Sequence, residues 1–342
     1  MSNFSIRQKA RYHILFLCFS IILLIFFVLS IGIGSVNIPF VETCKIILGH
    51  LTDSTHGAII WKIRLPRALS TILCGGYLAI GGLLLQVFFR NPIVGPYILG
   101  ISSGATLMVA LVMLAGLSIG ILGIHPFFLS LAAFSGALAV MVVILVVASR
   151  VKNIITLLII GLMMGYVCHA ITSILIAFAE KEKVKGFVLW QMGSFSGFTW
   201  QEFYLVVLLG LPLLIGTYLM SKPLNAFLLG EDYAKSMGVS IKVFRILIVI
   251  FSSALAGLVT AFAGPVAFIG LAVPHMARLS LGTSDNRILI PGAALLGPTV
   301  AVLCDLIARL LFSPVELPLS AITSFFGAPI VIGLLLKRRA II

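Results

Sequence analysis

The chain has 342 residues, of which 61% are hydrophobic and only 10% charged, and its formal net charge is +13. Globular proteins carry about a quarter charged residues and just under half apolar ones, so this composition excludes a soluble enzyme, a disordered protein and a secreted disulfide scaffold. The basic residues lie between apolar runs and do not form one patch. They therefore indicate membrane topology and not nucleic-acid binding.

Apolar runs of the length that spans a bilayer, about 20 residues, recur along the whole chain. The first follows the basic N-terminal residues and is longer than a signal-peptide core, so it is interpreted as a retained membrane anchor. Ten runs are predicted to be transmembrane helices: 13–35, 66–89, 95–116, 126–149, 155–178, 203–221, 243–263, 266–281, 289–311 and 318–337. Gly264 and Pro265 separate the seventh run from the eighth, and non-helical backbone there has to be buried in protein. The whole chain, 1–342, is thus predicted to be one all-α, polytopic membrane domain.

The Lys and Arg residues orient these ten helices. If the N-terminal segment 1–12 is cytoplasmic, fifteen of the 23 basic residues fall on the inside and eight on the outside. Cytoplasmic loops carry an excess of Lys and Arg, so both termini are predicted to be cytoplasmic, and 222–242 becomes the longest cytoplasmic loop. Lys62, Arg64 and Arg67 form an outer basic cluster without neighbouring acids, which favours a functional interpretation.

Two stretches of the chain resemble each other weakly, 78–104 and 255–282. Five predicted crossings separate them, so a true repeat would be inverted in the membrane. Many transporters place their pathway at the interface of inverted repeats. The pattern therefore predicts two pseudo-repeated halves.

The sequence lacks the motifs of several catalytic and metal sites. It has no GxxxxGK[ST] phosphate-binding loop, so it is not expected to hydrolyse ATP itself. None of the six histidines falls in HExxH spacing and the five cysteines form no CxxC motif, so no resident metal or cofactor is predicted. Asp305 is the only acid deep in a predicted helix, which disfavours a proton- or sodium-coupled carrier.

One enzyme-like motif remains, the G-x-S-x-G of residues 100–104. An intramembrane serine protease would use Ser102 with a histidine from another helix, such as His169 or His275. The favoured interpretation is structural, because small residues such as Gly104 let membrane helices approach closely.

Six segments, in order, carry a resemblance to a known family. They are WKIRLPRALSTILCGG (61–76), QVFFRNPIVGPYILGISSGA (86–105), GEDYAKSMGVSIKVFR (230–245), AGPVAFIGLAVPHMARLSLG (263–282), DNRILIPGAALLG (285–297) and ELPLSAITSFFGAPIVIGLLLKR (316–338). Together they make the chain similar to the membrane permeases of the ABC importers that carry vitamin B12, iron-siderophores and haem. The resemblance implies a protein of the cytoplasmic membrane with ten helices per subunit and a second permease subunit, expected to be an identical chain. It also implies two cytoplasmic ATPase subunits, which hold ATP and Mg, and an extracytoplasmic substrate-binding protein.

The 222–242 loop is predicted to contain a short amphipathic helix ended by Gly238. In the family, this loop is the coupling element that seats in a groove on the ATPase. The implied contacts are Gly230, Glu231, Ala234, Met237, Gly238 and Val239. Movement made in a separate soluble subunit reaches a membrane helix only through a rigid element packed against both, and a helix with a glycine end supplies one.

Arg64, Arg67 and Arg309 are predicted at the outer face. The resemblance implies that arginines at these positions pair with acidic residues of the binding protein, and such contacts at the edge of an interface govern orientation and association rate. The alternative for Arg309 is an ion pair with Asp305, one helical turn away.

Two turns are predicted to gate the pathway, the first of them at the cytoplasmic end of the second helix. The first ends the second helix, where the side chains of Gln86 and Asn91 are expected to satisfy freed backbone groups. The resemblance places the gate at Gln86, Asn91, Pro92 and Ile93 and at a second turn formed by Ile154, Ile155 and Thr156. Hydrophobic side chains at the second turn would seal the pore by dewetting. Arg278 is expected to brace the same end of the bundle.

The sequence thus predicts a permease subunit without its own ATPase site, with an iron-siderophore or a related iron complex as the favoured cargo. Haem and cobalamin are the alternatives within the same family. The alternatives from other classes are the intramembrane serine protease and a secondary carrier.

Overall fold

The computed structural model describes residues 2–34, 36, 38–50, 54–116, 126–151 and 153–339, and these form helices joined by short loops. The helices are α1 (Ser2–Gly32), α2 (Phe40–Ile47), α3 (Thr55–Ile59), α4 (Leu65–Phe88), α5 (Ile101–Met113), α6 (Pro126–Arg150), α7 (Ile154–Phe178), α8 (Lys181–Gln191), α9 (Trp200–Leu219), α10 (Ser221–Leu228), α11 (Glu231–Ser236), α12 (Ile241–Ala263), α13 (Ile269–Leu281), α14 (Asn286–Leu310) and α15 (Leu319–Arg339). A π-helical turn (Ile60–Arg64) joins α3 to α4, and a 3-10 turn (Pro96–Leu99) precedes α5. The described part of the chain contains no strand, and the prediction of an all-α fold is confirmed.

Seven of the described helices are long and apolar enough to cross a membrane: α1, the continuous helix of α3 and α4, α6, α7, α9, α12 and α14. They match seven of the ten predicted spans, although Ser35, the predicted end of the first, lies outside the described residues. The other three spans, 95–116, 266–281 and 318–337, fall on α5, α13 and α15. Helix breaks shorten α5 and α13 to 13 residues each. The polytopic membrane fold is confirmed, whereas ten crossings and the cytoplasmic position of both termini stay predictions.

Helix α4 forms the centre of the bundle. In the continuous helix Thr55–Phe88, 83% of the residues in the most apolar 18-residue stretch are buried. The corresponding share is 17% in α7 and in α9. The neighbours of α4 include α9, α12, α13 and α14. A helix that is apolar on all sides and lies at the surface of the bundle suits contact with lipid. Helices α7 and α9 therefore belong to the outside of the subunit, and α4 belongs to its core.

Facing glycines let the central helices touch backbone to backbone. A Cβ added at Gly82 of α4 would lie 1.6 Å from the carbonyl oxygen of Gly270 on α13. One added at Gly75 would lie 2.6 Å from the carbonyl oxygen of Gly297 on α14. Without side chains between them, the helices gain close van der Waals contact, which stabilises helix association in a membrane.

Gly82→Ala is therefore expected to destabilise the bundle strongly. The new methyl group has no room, and overpacking of this kind costs about 1–3 kcal/mol or more, which exceeds the gain of about 1 kcal/mol in helix propensity from Gly to Ala. The midpoint of thermal unfolding in detergent measures the effect. Gly333→Ala is the matched control, because a Cβ on that helical glycine meets nothing within 4 Å. Equal unfolding midpoints for the two variants would contradict the prediction.

The two helix breaks of the predicted repeat pack against each other inside the bundle. Residues 264–268 join α12 to α13, and none of them is exposed. The hydroxyl of Tyr97, in the 3-10 turn before α5, donates to the Val266 carbonyl and accepts from the Val266 N–H at 2.9 Å. The expectation that non-helical backbone at this depth is buried is confirmed, and the inverted repeat stays a prediction.

Candidate functional site

The predicted arginine cluster, Arg64, Arg67 and Arg309, lies where α4 begins and α14 ends. All three residues are buried, with 5%, 6% and 8% of their surfaces exposed. Arg67 donates to one Asp305 oxygen from Nε at 3.1 Å and from Nη2 at 2.8 Å, and to Glu316 from Nη1 at 2.7 Å. A guanidinium presents several donors in one plane, so Arg67 can hold two carboxylates at once.

Arg64 ties the arginine cluster to the end of α1. Its Nη1 donates to the carbonyls of Ile31 and Gly32, each at 2.8 Å, and its Nη2 donates to the carbonyl of Val36. The last carbonyls of a helix lack partners within the helix and lie at the negative end of its dipole. Arg64 therefore caps α1 and holds it against the start of α4.

Arg309 completes the cluster. Its Nε lies 3.2 Å from Asp305, so the ion pair expected within α14 is confirmed, and its Nη2 donates to the Ser30 hydroxyl at 2.9 Å. The expectation that the arginines lack neighbouring acids is wrong, because the fold brings Asp305 and Glu316 to Arg67 across 238 and 249 positions of the chain. The arginines do not form an exposed rim, and their pairing with a binding protein stays a prediction.

The predicted coupling segment, 222–242, folds as α10 and α11 beside the other end of α4. The 24 residues of α4 separate it from the arginine cluster by about 36 Å. Gly238 has a φ of +83°. Its N–H donates to the Lys235 carbonyl at 3.0 Å, and the N–H of Val239 donates to that of Ala234 at 3.0 Å. This pair of bonds is the Schellman motif, so the glycine-ended helix is confirmed.

The coupling segment is held by the bundle on one side and open on the other. Leu229, Tyr233 and Met237 are 70%, 46% and 64% exposed. On the held side, the side-chain oxygen of Asn225 accepts hydrogen bonds from the backbone and side-chain nitrogens of Asn286, each at 2.8 Å. An element anchored on membrane helices that presents apolar side chains outward has the form that a soluble partner requires.

The six predicted contact residues of the coupling segment differ in exposure, and two of them, Gly230 and Val239, are half-buried. Met237 and Gly238 are exposed. Ala234 is fully buried, and Glu231 accepts two hydrogen bonds from Arg245, at 2.8 and 2.9 Å. Ala234 and Glu231 thus face the chain itself, while contact of the segment with an ATPase stays a prediction.

The first gate turn, Asn91 to Ile93, follows the end of α4. The Asn91 side-chain oxygen accepts the N–H of Ile93 at 3.0 Å, as expected of a residue that closes a turn. The Gln86 side chain does not serve this turn. It donates to the carbonyl of Leu271 at 2.9 Å and accepts from Arg278 at 2.7 Å, so it joins α4 to α13.

The second gate turn, Ile154 to Thr156, begins α7. The side-chain oxygen of Asn153 accepts the N–H of Ile155 at 2.8 Å and caps the helix. Ile155 is 65% exposed, Thr156 is exposed, and the side chain of Ile154 lies outside the described part of the structure. A cleft of about 440 Å³ is lined by Phe88, Phe89, Arg90, Ile155, Leu229, Gly230, Glu231, Asp232 and Tyr233. It brings the second gate turn, the end of α4 and the coupling segment together.

A polar cavity of about 390 Å³ lies between α5, α7 and the start of α15. It is lined by Tyr97, Ser102, Ser103, Thr106, His169, Thr172, Gln191, Pro265, Ala267 and Ser320. These described lining residues supply hydroxyl, amide and imidazole groups and include no Lys, Arg, Asp or Glu. The cavity thus offers hydrogen-bond donors and acceptors without a carboxylate, an ammonium or a guanidinium group.

The G-x-S-x-G motif opens α5 and borders this cavity. Ser102 and His169 both line it, yet in the described part of the chain no hydrogen bond joins the Ser102 side chain to a histidine. A Cβ added at Gly104 would lie 2.6 Å from the carbonyl oxygen of Gly136 on α6. The structural interpretation of the motif, close helix approach, is confirmed, and the protease alternative has no supporting contact.

The structure combines three features: membrane-crossing helices with buried breaks, a polar cavity between the helices, and an anchored apolar segment at one end. Together these features define a polytopic permease. The chain belongs to the FecCD transport family, whose model matches residues 22–337. The prediction of an ABC importer permease is confirmed, and the chain is a multi-span protein of the bacterial inner membrane. Permeases of this class are transport components that work with ATPase and binding-protein partners.

Similar proteins include two permeases of known name. The vitamin B12 import system permease protein BtuC of Shigella boydii is 34% identical over 334 residues, which cover 97% of this chain and 98% of the relative. That of Salmonella typhi is 37% identical over 278 residues, covering 81% and 83%. A transporter assigned to the metal-chelate ABC type, solved in an inward-facing conformation, matches with a TM-score of 0.82 and 28% identity over 94% of this chain and 98% of its own.

Proposed function

We propose that this chain is the permease subunit of a cobalamin importer. The observation that carries the proposal is the similarity to a vitamin B12 permease over 97% of the chain, which includes the arginine cluster, the coupling segment and both gate turns. The cargo favoured from the sequence, an iron-siderophore, is the second candidate. Its support is the structural match to a transporter assigned to the metal-chelate type.

The polar cavity supports cobalamin over haem. Cobalamin carries neutral amide groups around its ring, and hydroxyl, amide and imidazole side chains supply donors and acceptors for amides. Haem carries two carboxylates, and burying a carboxylate without a cationic partner is costly. None of the residues that line the cavity is Lys or Arg, so the lining suits the amide groups of cobalamin better than the carboxylates of haem.

The proposed cycle uses the predicted partners. Two identical permease chains enclose the pathway, and ATP and Mg bind to the ATPase subunits while this chain supplies no cofactor of its own. ATP binding draws the two coupling segments together, which moves the gate turns and opens the pathway to the outside. The binding protein delivers its cargo at the arginine-cluster end, and hydrolysis resets the assembly.

Uptake by the reconstituted assembly tests the cargo. Vesicles containing the permease, ATPase and binding-protein subunits are expected to accumulate labelled cobalamin with ATP and not with a non-hydrolysable analogue. Labelled ferrichrome and haem, measured in parallel, are expected to stay at least about tenfold lower, since selectivity is a difference of binding free energies. ATP-dependent accumulation of ferrichrome in place of cobalamin would overturn the cobalamin proposal and support the second candidate.

A further inference from the structure

Two arginines outside the predicted site lie between the coupling segment and the gate turns. Arg90 lies two residues after the end of α4 and has a φ of +48°, a left-handed conformation that residues other than glycine adopt uncommonly. Its Nη2 donates to the carbonyl of Phe227 at 3.1 Å, and its guanidinium carbon lies 5.1 Å from the centre of the Phe227 ring. One residue of α10 thus holds Arg90 by both its backbone and its ring.

Phe227 itself is fixed between three helices. Its ring is fully buried and stacks on that of Phe88 of α4, with 6.1 Å between ring centres, and it packs against that of Phe244 of α12 at 5.0 Å. Close-packed interiors transmit displacement instead of absorbing it. Arg90 is the residue before Asn91, so its side chain connects α10 to the first gate turn more directly than the stacked ring of Phe88 does.

Arg245 makes the corresponding connection to the second gate turn. It lies in the first two turns of α12, and its Nη2 donates to both carboxylate oxygens of Glu231, the first residue of α11. Its Nη1 donates to the Val151 carbonyl at 3.5 Å. Val151 lies two positions before Asn153, and the side chain of Asn153 caps α7. Arg245 therefore bridges α11 and Val151, the residue that follows α6.

We propose that Arg90 and Arg245 are positioning residues that each carry movement of the coupling segment to one gate turn, Arg90 to the first and Arg245 to the second. Arginine suits this task because its planar group forms several directed contacts at once: Arg245 binds Glu231 and Val151, and Arg90 binds the carbonyl and the ring of Phe227. The inference rests on the proposed function, since movement of the coupling segment and of the gate turns belongs to it. The inference adds that the two connections are separate, because each arginine serves one gate turn and not the other.

Site-specific probes on the two gate turns test this separation. Ile93 and Ile155 are 44% and 65% exposed, so Ile93→Cys or Ile155→Cys accepts a fluorescent maleimide. The background carries Cys18→Ser and Cys44→Ser, because the other three cysteines are buried. The complete assembly in vesicles is then mixed with a non-hydrolysable ATP analogue, and the change in fluorescence is recorded for each probe.

The two variants are expected to have crossed effects. Arg90→Ala should reduce the ATP-dependent signal at position 93 by about fivefold or more, the lower end of the usual range for coupled sites. Arg90 and Ile155 line the same cleft, so each signal is expressed relative to the nucleotide-free fluorescence of the same variant, and the relative signal at 155 should be unchanged. Arg245→Ala should do the reverse. Arg90→Lys, which keeps the cation and a donor, should restore at least about half of the signal at 93. Arg287→Ala, an exposed arginine at the start of α14, is the matched control and should change neither signal.

The outcomes separate this inference from the proposed function. If Arg90→Ala or Arg245→Ala lowers both signals equally, or lowers neither, the separate connections are disproved while the permease function stands. If the parent assembly binds its ATPase subunits but shows no ATP-dependent signal at either position, the proposed gating fails and the inference with it. Loss of the 93 signal in Arg90→Lys as complete as in Arg90→Ala would also count against a positioning contact.

Discussion

Replacing both Tyr233 and Met237 by Asp is expected to abolish transport by releasing the ATPase subunits. Both side chains are exposed at 46% and 64%, and α11 holds them on a helix closed by Gly238. Burial of an apolar side chain of this size against a partner contributes about 1.5–3 kcal/mol, so the loss of two weakens binding by about 100-fold or more. The amount of ATPase subunit that co-purifies with the permease measures this change directly, and ATP-dependent uptake measures its consequence.

A single added charge at Ser284 serves as the control. Ser284 is exposed in the loop before α14, outside the coupling segment, and Ser284→Asp introduces the same type of charge without removing apolar surface. It is expected to bind the ATPase normally. Equal co-purification of the ATPase with the double variant and with the control would contradict the assignment of Tyr233 and Met237 to the coupling contact.

Asp305→Asn is expected to cause the largest loss of stability among single substitutions at the arginine cluster. Asp305 is 1% exposed and contacts both Arg67 and Arg309. The neutral amide leaves two buried guanidinium groups with Glu316 as the remaining acid in the cluster. Removing one partner of a buried ion pair costs about 3–5 kcal/mol. At roughly 2–4 °C per kcal/mol for a domain of this order of size, the unfolding midpoint should fall by about 10 °C.

Glu316→Gln is the matched comparison, because it removes the other carboxylate that contacts Arg67. The Glu316 side chain is 41% exposed, and ion pairs that water reaches contribute about 1 kcal/mol or less. We therefore expect a small change in the unfolding midpoint, measured in the same detergent as that of Asp305→Asn. Equal loss of stability in the two variants would show that burial does not set the strength of these pairs.

Features of the fold that depend on neighbouring residues are predictable from the sequence. The glycine that ends α11, the Asn91 turn and the break at Gly264 each depend on residues a few positions apart, and each lies where expected. The helix lengths around the breaks are harder to predict. An apolar run continues through a break without a change in composition, so the predicted spans 95–116 and 266–281 include residues that the structure places in turns.

Contacts between distant parts of the chain limit what can be predicted from the sequence. The acids that meet Arg67 come from the far end of the sequence, and no local pattern marks them. Arg90 and Arg245 lie inside two of the segments that resemble the family, 86–105 and 230–245, yet the resemblance assigns a role to neither of them. In the sequence they indicate only topology, because their partners, the Phe227 carbonyl of α10 and the Glu231 carboxylate of α11, come close only in the packed bundle.

The distance along the chain between Arg67 and Asp305, 238 positions, also bears on how the protein is synthesised. At translation rates of about 5–20 residues per second, the aspartate leaves the ribosome on the order of 10–50 s after the arginine. For that interval the nascent α4 carries a cation without its counter-ion, and this charge has to wait at the watery border of the membrane. A polypeptide released before α14 thus keeps a hydrated arginine where the finished protein has an enclosed one, and we expect membrane proteases to remove such unfinished products preferentially.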